Sequence, residues 1–312
     1  MSLPIGILVG VMVTLLIYQM RLPLERYGRS ESAGAVGTKK SPYISASPSV
    51  KIASLLQFTY NIGEHELKVF SQNGEDGILH YIFSNIGHGD KYYVEFGTQN
   101  GVECNTRLLY ENNGWDGLLM DGDGVSSDAR VIHNHMITPN NIVEIFQMYN
   151  VPKKLSLLSV DIDSFDYWVL KSIMDAEYQP RVIVMEINRN FDINESYTVN
   201  STTPWVASRF GFSQKAAKDI CNKYGYHMVH TDRNGVNVVC ISRITLSEVI
   251  QEKTGYMVLP DELKNWLPPF SHVYRRHLAI HVKNYQAFRD AFVKESKEGW
   301  WVKLDDNAEV MI

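Results

Sequence analysis

The sequence predicts an α/β domain on an open, mostly parallel seven-stranded sheet, with its last two strands forming an antiparallel hairpin at one edge. Three observations predict it. Apolar runs of strand length recur at residues 92–96, 117–121, 131–137, 155–161, 182–187, 226–230 and 236–241. Between most of them, apolar residues fall at helical spacing, as in 141–149, 165–174 and 213–224. The last two runs are separated only by Thr231-Asp232-Arg233-Asn234-Gly235, a turn that joins antiparallel neighbours. Strand alternating with helix places helices on both faces of a parallel sheet.

At 312 residues with a formal charge of −5, the chain holds one full core plus extensions. It has no basic cluster with interleaved aromatics, so nucleic acid is not an expected partner. Residues 1–20, MSLPIGILVGVMVTLLIYQM, carry no charge, and 3–20 form an apolar run long enough to cross a bilayer. A cleaved signal peptide would want a basic start and a small-residue cleavage site. Arg21, Arg26 and Arg29 after the span argue for a cytosolic body. The acceptor triplets Asn194-Glu195-Ser196 and Asn200-Ser201-Thr202 argue for a lumenal one. The expectation is a single-pass membrane protein of the Golgi or ER with a lumenal body.

Residues 21–61, much of them rich in Ser, Gly, Pro and Lys, read as a flexible stem after the anchor at 1–20. The folded domain is expected over 62–243, followed by an extension, 244–312, packed on it. In that extension Val273, Leu278, Ile280, Val282, Phe288, Phe292 and the pair Trp300-Trp301 read as packing residues, and His272, His277 and His281 as solvated or packed. Cys104, Cys221 and Cys240 lack metal-finger spacing; their odd number is no disulfide framework, though one bridge remains open.

The domain begins with SQNGEDGI at 71–78. Asn73 suits a helix N-cap and Asp76, three residues on, completes a capping arrangement; Gln72 and Glu75 are left over. The helix continues through Ile78, Leu79, Ile82, Phe83 and Ile86. In open α/β sheets the ligand lies beyond the carboxyl ends of the strands, near the point where strand order reverses. The first strand ends in Glu95-Phe96-Gly97-Thr98-Gln99-Asn100-Gly101, where glycines let a ligand approach the backbone and a carboxylate can take an ammonium group. Glycines after a strand are also ordinary turn residues. Asp121 ends the second strand, where an acid can accept from both ribose hydroxyls, and no GxGxxG phosphate fingerprint accompanies it. Asp161 and Asp163 end the fourth run; Glu186 and Asn188 end the fifth. Carboxylates gathered at one sheet edge require a cation, a proton or solvent; the alternative is a helix cap for Asp161 or Asp163 and a basic neighbour for Glu186.

The blocks SQNGEDGI, VEFG, Asn105-Thr106, GWDGLLMDGD, the NNI of 140–142, LLSVDIDSFDYWV, RVIVMEIN and GVNVVCI, in that order over 69–242, resemble the FkbM-type family of S-adenosylmethionine-dependent methyltransferases. The resemblance implies a Rossmann-like class I methyltransferase fold. It implies cofactor contacts from Gln72, Glu75, Asp76, Glu95, Gly97, Thr98, Gly101, Asn105, Asp121 and Asp161, with the 95–101 loop around the methionine moiety and Asp121 on the ribose. Where the family often reads DIDG, this chain has Asp163-Ser164, so the identity of the acceptor does not carry over.

The sequence therefore leads to a membrane-anchored O-methyltransferase that moves a methyl group from S-adenosylmethionine to a hydroxyl of a small molecule or, more specifically, a glycan or glycoconjugate. Asp161 or Asp163 is the expected general base; alternatively Asp161, Asp163, Glu186 and Asn188 hold a divalent metal, manganese or magnesium. Two rival readings are a Golgi-type glycosyltransferase using Asp161-Ile162-Asp163 as a DxD metal site, and a non-catalytic binding or trafficking module. Nothing in the sequence sets an oligomeric state.

Overall fold

The computed structural model describes residues 47–124, 130–206, 208–267 and 282–304. The expected anchor, the stem up to residue 46, and His272, His277 and His281 lie outside the described residues. Among the described residues no helix is long and apolar enough to cross a membrane. The described residues open with α1 (Pro48–Leu56), the four-residue α2 (Phe58–Asn61) and a 3-10 turn (Ile62–His65). Then come α3 (Glu75–Ile86), β1 (Tyr92–Phe96), α4 (Arg107–Asn113), β2 (Asp116–Asp121) and β3 (Ile132–Asn134). After α5 (Ile142–Met148), β4 (Leu157–Val160), α6 (Asp166–Asp175) and β5 (Val182–Glu186), the chain forms the short β6 (Tyr197–Val199). The rest is α7 (Gln214–Lys223), β7 (Tyr226–Thr231), β8 (Asn237–Ser242), α8 (Arg243–Thr254), a second 3-10 turn (Glu262–Asn265), α9 (Val282–Lys297) and β9 (Trp301–Lys303).

Seven strands make one sheet in the order β3-β2-β1-β4-β5-β8-β7. The first five are mutually parallel; β8 runs antiparallel to both β5 and β7. From β1 the chain builds outward to β3, then returns to place β4 on the other side of β1. Strand order therefore reverses between β1 and β4, where a crevice opens at the carboxyl ends. Strand periodicity fills both faces. Val94 and Phe96 pack with Phe146, Val169 and Ile220 on one side, while Tyr93 packs with Ile78, Phe83 and Leu246 on the other. This two-sided burial explains why the strands read as continuous apolar runs.

Four boundaries differ from the sequence reading. The folded body starts at Pro48, inside the segment expected to be stem, because Ile52, Leu56 and Phe58 are buried in the same cluster as Val249 and Ile250 of α8. Their apolar spacing is short and sits next to polar sequence, so periodicity alone does not separate it from a linker. The first sheet-covering helix starts at Glu75, not at Asn73: Gly74, at φ +105°, is its N-cap, and the Ser71 hydroxyl, not Asn73, accepts from the first-turn N–H of Asp76 at 3.1 Å. The third and fourth strands are shorter than their apolar runs, at 132–134 and 157–160.

The described part of the C-terminal extension packs on the body. Phe288 and Phe292 of α9 and Trp301 of β9 meet Phe191 with ring centroids 5.1–5.2 Å apart, and β9 pairs antiparallel with β6. Arg289 donates to both oxygens of Glu195 at 2.6 and 2.9 Å. The segment that follows β5 is thus braced by the chain's last described element. Cys221 of α7 and Cys240 of β8 form a disulfide, fixing that helix to the antiparallel edge, while Cys104 is free and buried.

Candidate active site

A cavity of about 380 Å³ lies across the carboxyl ends of β3, β2, β1, β4 and β5. Such a volume suits a small-molecule ligand, for which pockets run roughly 300–1,000 Å³. Gly97 and Gln99 enter it after β1; Asp121, Gly122 and Asp123 after β2; His135, Met136 and Ile137 after β3. Asp161, Ile162 and Asp163 follow from β4 and Glu186 from β5, with Gln72 and Trp205 adding to the wall. Its position follows from topology, because only at the reversal of strand order do the loops of β1 and β4 turn to opposite sides.

Gly97 sits at φ +69°, and a Cβ there would meet the carbonyl oxygen of Asp161 at 1.6 Å. The residue must be glycine for both reasons. Beyond it, Gln99 takes φ +48°, uncommon for a residue with a side chain, and its N–H donates to Asp121 Oδ2 at 2.7 Å. The other Asp121 oxygen accepts from the N–H of Asp123 at 2.9 Å. Asp121 thus ties the β1 and β2 loops together while facing the cavity.

Glu95 is used differently from the expectation of an ammonium partner. It is 4 % exposed and lies off the cavity wall. Its carboxylate accepts from the N–H groups of Asn105 and Thr106 at 2.7 and 3.1 Å and from the Thr106 hydroxyl at 2.5 Å. Burial pushes its pKa up, and those three donors act against that. Asn105 donates its side-chain amide to Ser159 at 3.0 Å. Arg130 reaches the Gly101 carbonyl at 2.6 Å and the Thr106 hydroxyl at 3.3 Å. Thr98 is buried, and its carbonyl accepts from the Gly101 N–H at 2.7 Å. Glu95, Thr98, Gly101 and Asn105 therefore shape the loop from behind rather than line the pocket.

The SQNGED segment follows the same logic. Asp76 Oδ2 accepts from the backbone N–H of Val69, Phe70 and Ser71 at 2.9, 2.6 and 2.6 Å. Glu75, fully buried, accepts from the Asn73 N–H at 2.8 Å and the Asn237 amide at 2.7 Å. Both carboxylates fold the turn, and neither lines the cavity; exposed Gln72 is the residue they present to it. Asn188 also departs from its expected role. Its amide donates to Phe210 at 3.1 Å and its oxygen accepts twice from Asn190, so it has turned away from the acidic side chains.

Asp161, Asp163 and Glu186 do converge, each offering a carboxylate oxygen within 4.8 Å of the others. No Lys or Arg is among the described residues of the wall. Burial, then the charges of Asp166 and Asp163, holds Asp161 well above the ordinary carboxylate range. Glu186, 9 % exposed, is pushed up to about 11 by burial and by Asp161 beside it. Burial, followed by Asp121, raises Asp163. Two carboxylates this close cannot both be charged without a counter-ion, so a proton or a cation must stand between them.

Sequence reading missed four residues here. Asp166, fully buried, accepts from the N–H of Ile162 at 2.7 Å and Ser164 at 3.1 Å and so sets the loop carrying Asp161 and Asp163; burial pushes it up to about 6. Arg130 is the buried cation behind the β1 loop. His135 faces the cavity with Nε2 2.9 Å from the Tyr149 hydroxyl. Trp205, 45 % exposed, donates its indole N–H to the Ile162 carbonyl at 3.1 Å. A Trp within a polar segment was the one signal of this kind the sequence offered. No protein-family model matches the chain, and no curated protein is significantly similar to it.

Proposed function

We propose that the protein is an S-adenosylmethionine-dependent O-methyltransferase of class I architecture whose acceptor is a hydroxyl of a glycan or glycoconjugate. One observation carries the reading: an acidic cavity at the reversal of strand order, with Asp121 at the end of β2 and the obligatory Gly97 at the end of β1. A wall bearing Asp121, Asp123, Asp161, Asp163 and Glu186 without Lys or Arg favours a ligand with sulfonium and ammonium charges over one with a bare pyrophosphate. Ile137 and Met136, whose side chain lies against Gly122, suit an adenine ring, and Asp121 suits the ribose hydroxyls. The sequence blocks that resemble the FkbM-type family support the same reading.

In this reading the β1–β3 side holds the methyl donor and the β4–β5 side holds the acceptor. Transfer forms an oxygen–carbon bond and breaks the sulfur–methyl bond; the electron pair stays on sulfur and the hydroxyl proton leaves. The protein's tasks are in-line alignment and removal of that proton. Asp161 or Asp163 takes the proton. A lumenal body is supported by the Cys221–Cys240 disulfide, typical of oxidising compartments, and by an exposed Asn194.

Calorimetry of the full-length protein with S-adenosylmethionine and S-adenosylhomocysteine tests this. Both should bind, and Asp121→Ala should weaken both at least tenfold, about 1.4 kcal/mol. Binding of a nucleotide sugar with no response to either sulfur ligand would replace this reading with a glycosyltransferase.

A further inference from the structure

Among the described residues, the five buried carboxylates other than Glu186 each accept at least two hydrogen bonds, although Asp76 takes all of its N–H donors on Oδ2 and leaves Oδ1 without a partner. Glu75 and Asp166 each accept from two N–H donors, and Asp76, Glu95 and Asp232 each from three N–H or O–H donors. Glu186 breaks the pattern. It is 9 % exposed, faces the cavity, and its Oε2 has no hydrogen-bond partner among the described residues. A buried oxygen left without a donor is costly, and a charged one more so. Asp161 and Asp163, ending the neighbouring strand, bring their own oxygens within 4.8 Å of it.

We propose that Asp161, Asp163 and Glu186 form a divalent-cation site, selective for magnesium or manganese, that seats the acceptor oxygen at the β4–β5 end of the cavity. The donors are three hard carboxylate oxygens with no imidazole or thiolate among them, the set that suits these ions. Three protein oxygens leave about three positions of an octahedral ion for water and for oxygens of the acceptor. Asp166 keeps the loop of Asp161 and Asp163 in place through its two backbone bonds, so the site is held without its own ligands being consumed. Bound there, the cation would lower the pKa of an acceptor hydroxyl and offset the acidity of the wall. What the ion does rests on the methyl-transfer reading; whether it binds does not.

The test is manganese titration of the chelator-treated full-length protein, followed by loss of the free-ion paramagnetic resonance signal and by thermal shift. One ion per chain should bind. Glu186→Gln and Asp163→Asn should each weaken binding at least tenfold, and Asp163, being exposed, provides a variant that folds if the buried one does not. Asp123→Asn, at the β2 side of the same cavity, should leave it within twofold. Absence of stoichiometric binding at millimolar manganese, or equal weakening by all three variants, overturns the site. Binding of S-adenosylhomocysteine without manganese binding sinks the metal and spares the methyl-transfer reading; manganese binding with no response to either sulfur ligand does the reverse.

Discussion

The α-carbon of Gly97 lies against the carbonyl oxygen of Asp161 so closely that a Cβ would sit 1.6 Å from it. The strands on either side of the reversal thus touch through bare backbone, and the cavity floor is formed by that contact. Relief would require the loops after β1 and β4 to separate, carrying Gln99 and Asp163 with them.

Gly97→Ala should therefore destabilise the protein by at least about 2 kcal/mol, since it adds both overlap and a side chain at positive φ. Denaturant unfolding and calorimetry read the two effects separately. S-adenosylhomocysteine binding should be lost even at temperatures where the variant remains folded; unchanged affinity would show that this contact does not set the pocket.

The sheet was legible because both its faces are covered, which leaves seven apolar runs with little ambiguity, and because the 231–235 turn marks the hairpin. Cavity-facing positions were legible where topology alone fixes them, as for Gly97, Asp121, Asp161 and Glu186. Glu75, Asp76, Glu95 and Asn188 were not. A carboxylate that takes substrate and one that gathers backbone N–H groups have the same composition and the same neighbours in sequence. Their partners, such as the N–H groups of 69–71 for Asp76, exist only after the turn has formed. Pro48–Leu56 was misjudged for a related reason: its partner surface on α8 is almost 200 residues away.

Acid should stabilise this fold. Burial raises the Asp232 carboxyl from 3.8 to about 6 against the pull of the Asn237 and Asn234 N–H groups. A group whose folded pKa is raised holds its proton more tightly in the native state, so its contribution is complete below pH 3.8 and is lost as pH climbs through about 6. The linkage is worth up to about 3 kcal/mol. Asp76 and Glu95 shift in the same direction and Asp175 in the opposite one. In chelator, the thermal midpoint should be higher at pH 5 than at pH 7; a midpoint rising steadily over that range contradicts it.

The disulfide closes a loop of sequence separation 19 between residues of which Cys221 is 3 % and Cys240 0 % exposed. Cross-linking a loop of that size contributes about 3 kcal/mol in the chain-entropy account. Cys221→Ser should lower the midpoint by roughly 6–12 °C. Peptide mapping without reductant should recover the two cysteines joined, and a fully reduced protein from its native compartment would argue against a lumenal body.

The two acceptor triplets are not equivalent in the fold. Asn194 is exposed, whereas Asn200 donates its amide to the Gly299 carbonyl at 2.8 Å and accepts from Thr202. A glycan on Asn200 would compete with docking of the C-terminal strand. Secretory expression in a eukaryotic host should give one glycan, removed by Asn194→Gln; two glycans, or a shift abolished only by Asn200→Gln, would reverse the assignment.

Trp205 offers a ring face that is 45 % exposed yet fixed, because its indole N–H is bonded to the Ile162 carbonyl. A held aromatic face beside oxygen-rich carboxylates suits the apolar face of a sugar ring, with the hydroxyls directed toward Asp161 and Asp163. Little of the ring is core, so Trp205→Ala should move the thermal midpoint by only a degree or two, given that exposed substitutions generally stay within about 0.5 kcal/mol. Glycan-array binding of the full-length protein should fall at least tenfold, about 1.4 kcal/mol. Affinity for S-adenosylhomocysteine should stay within twofold. Loss of sulfur-ligand binding in place of glycan binding would put Trp205 on the methyl donor and move the acceptor to another part of the cavity rim.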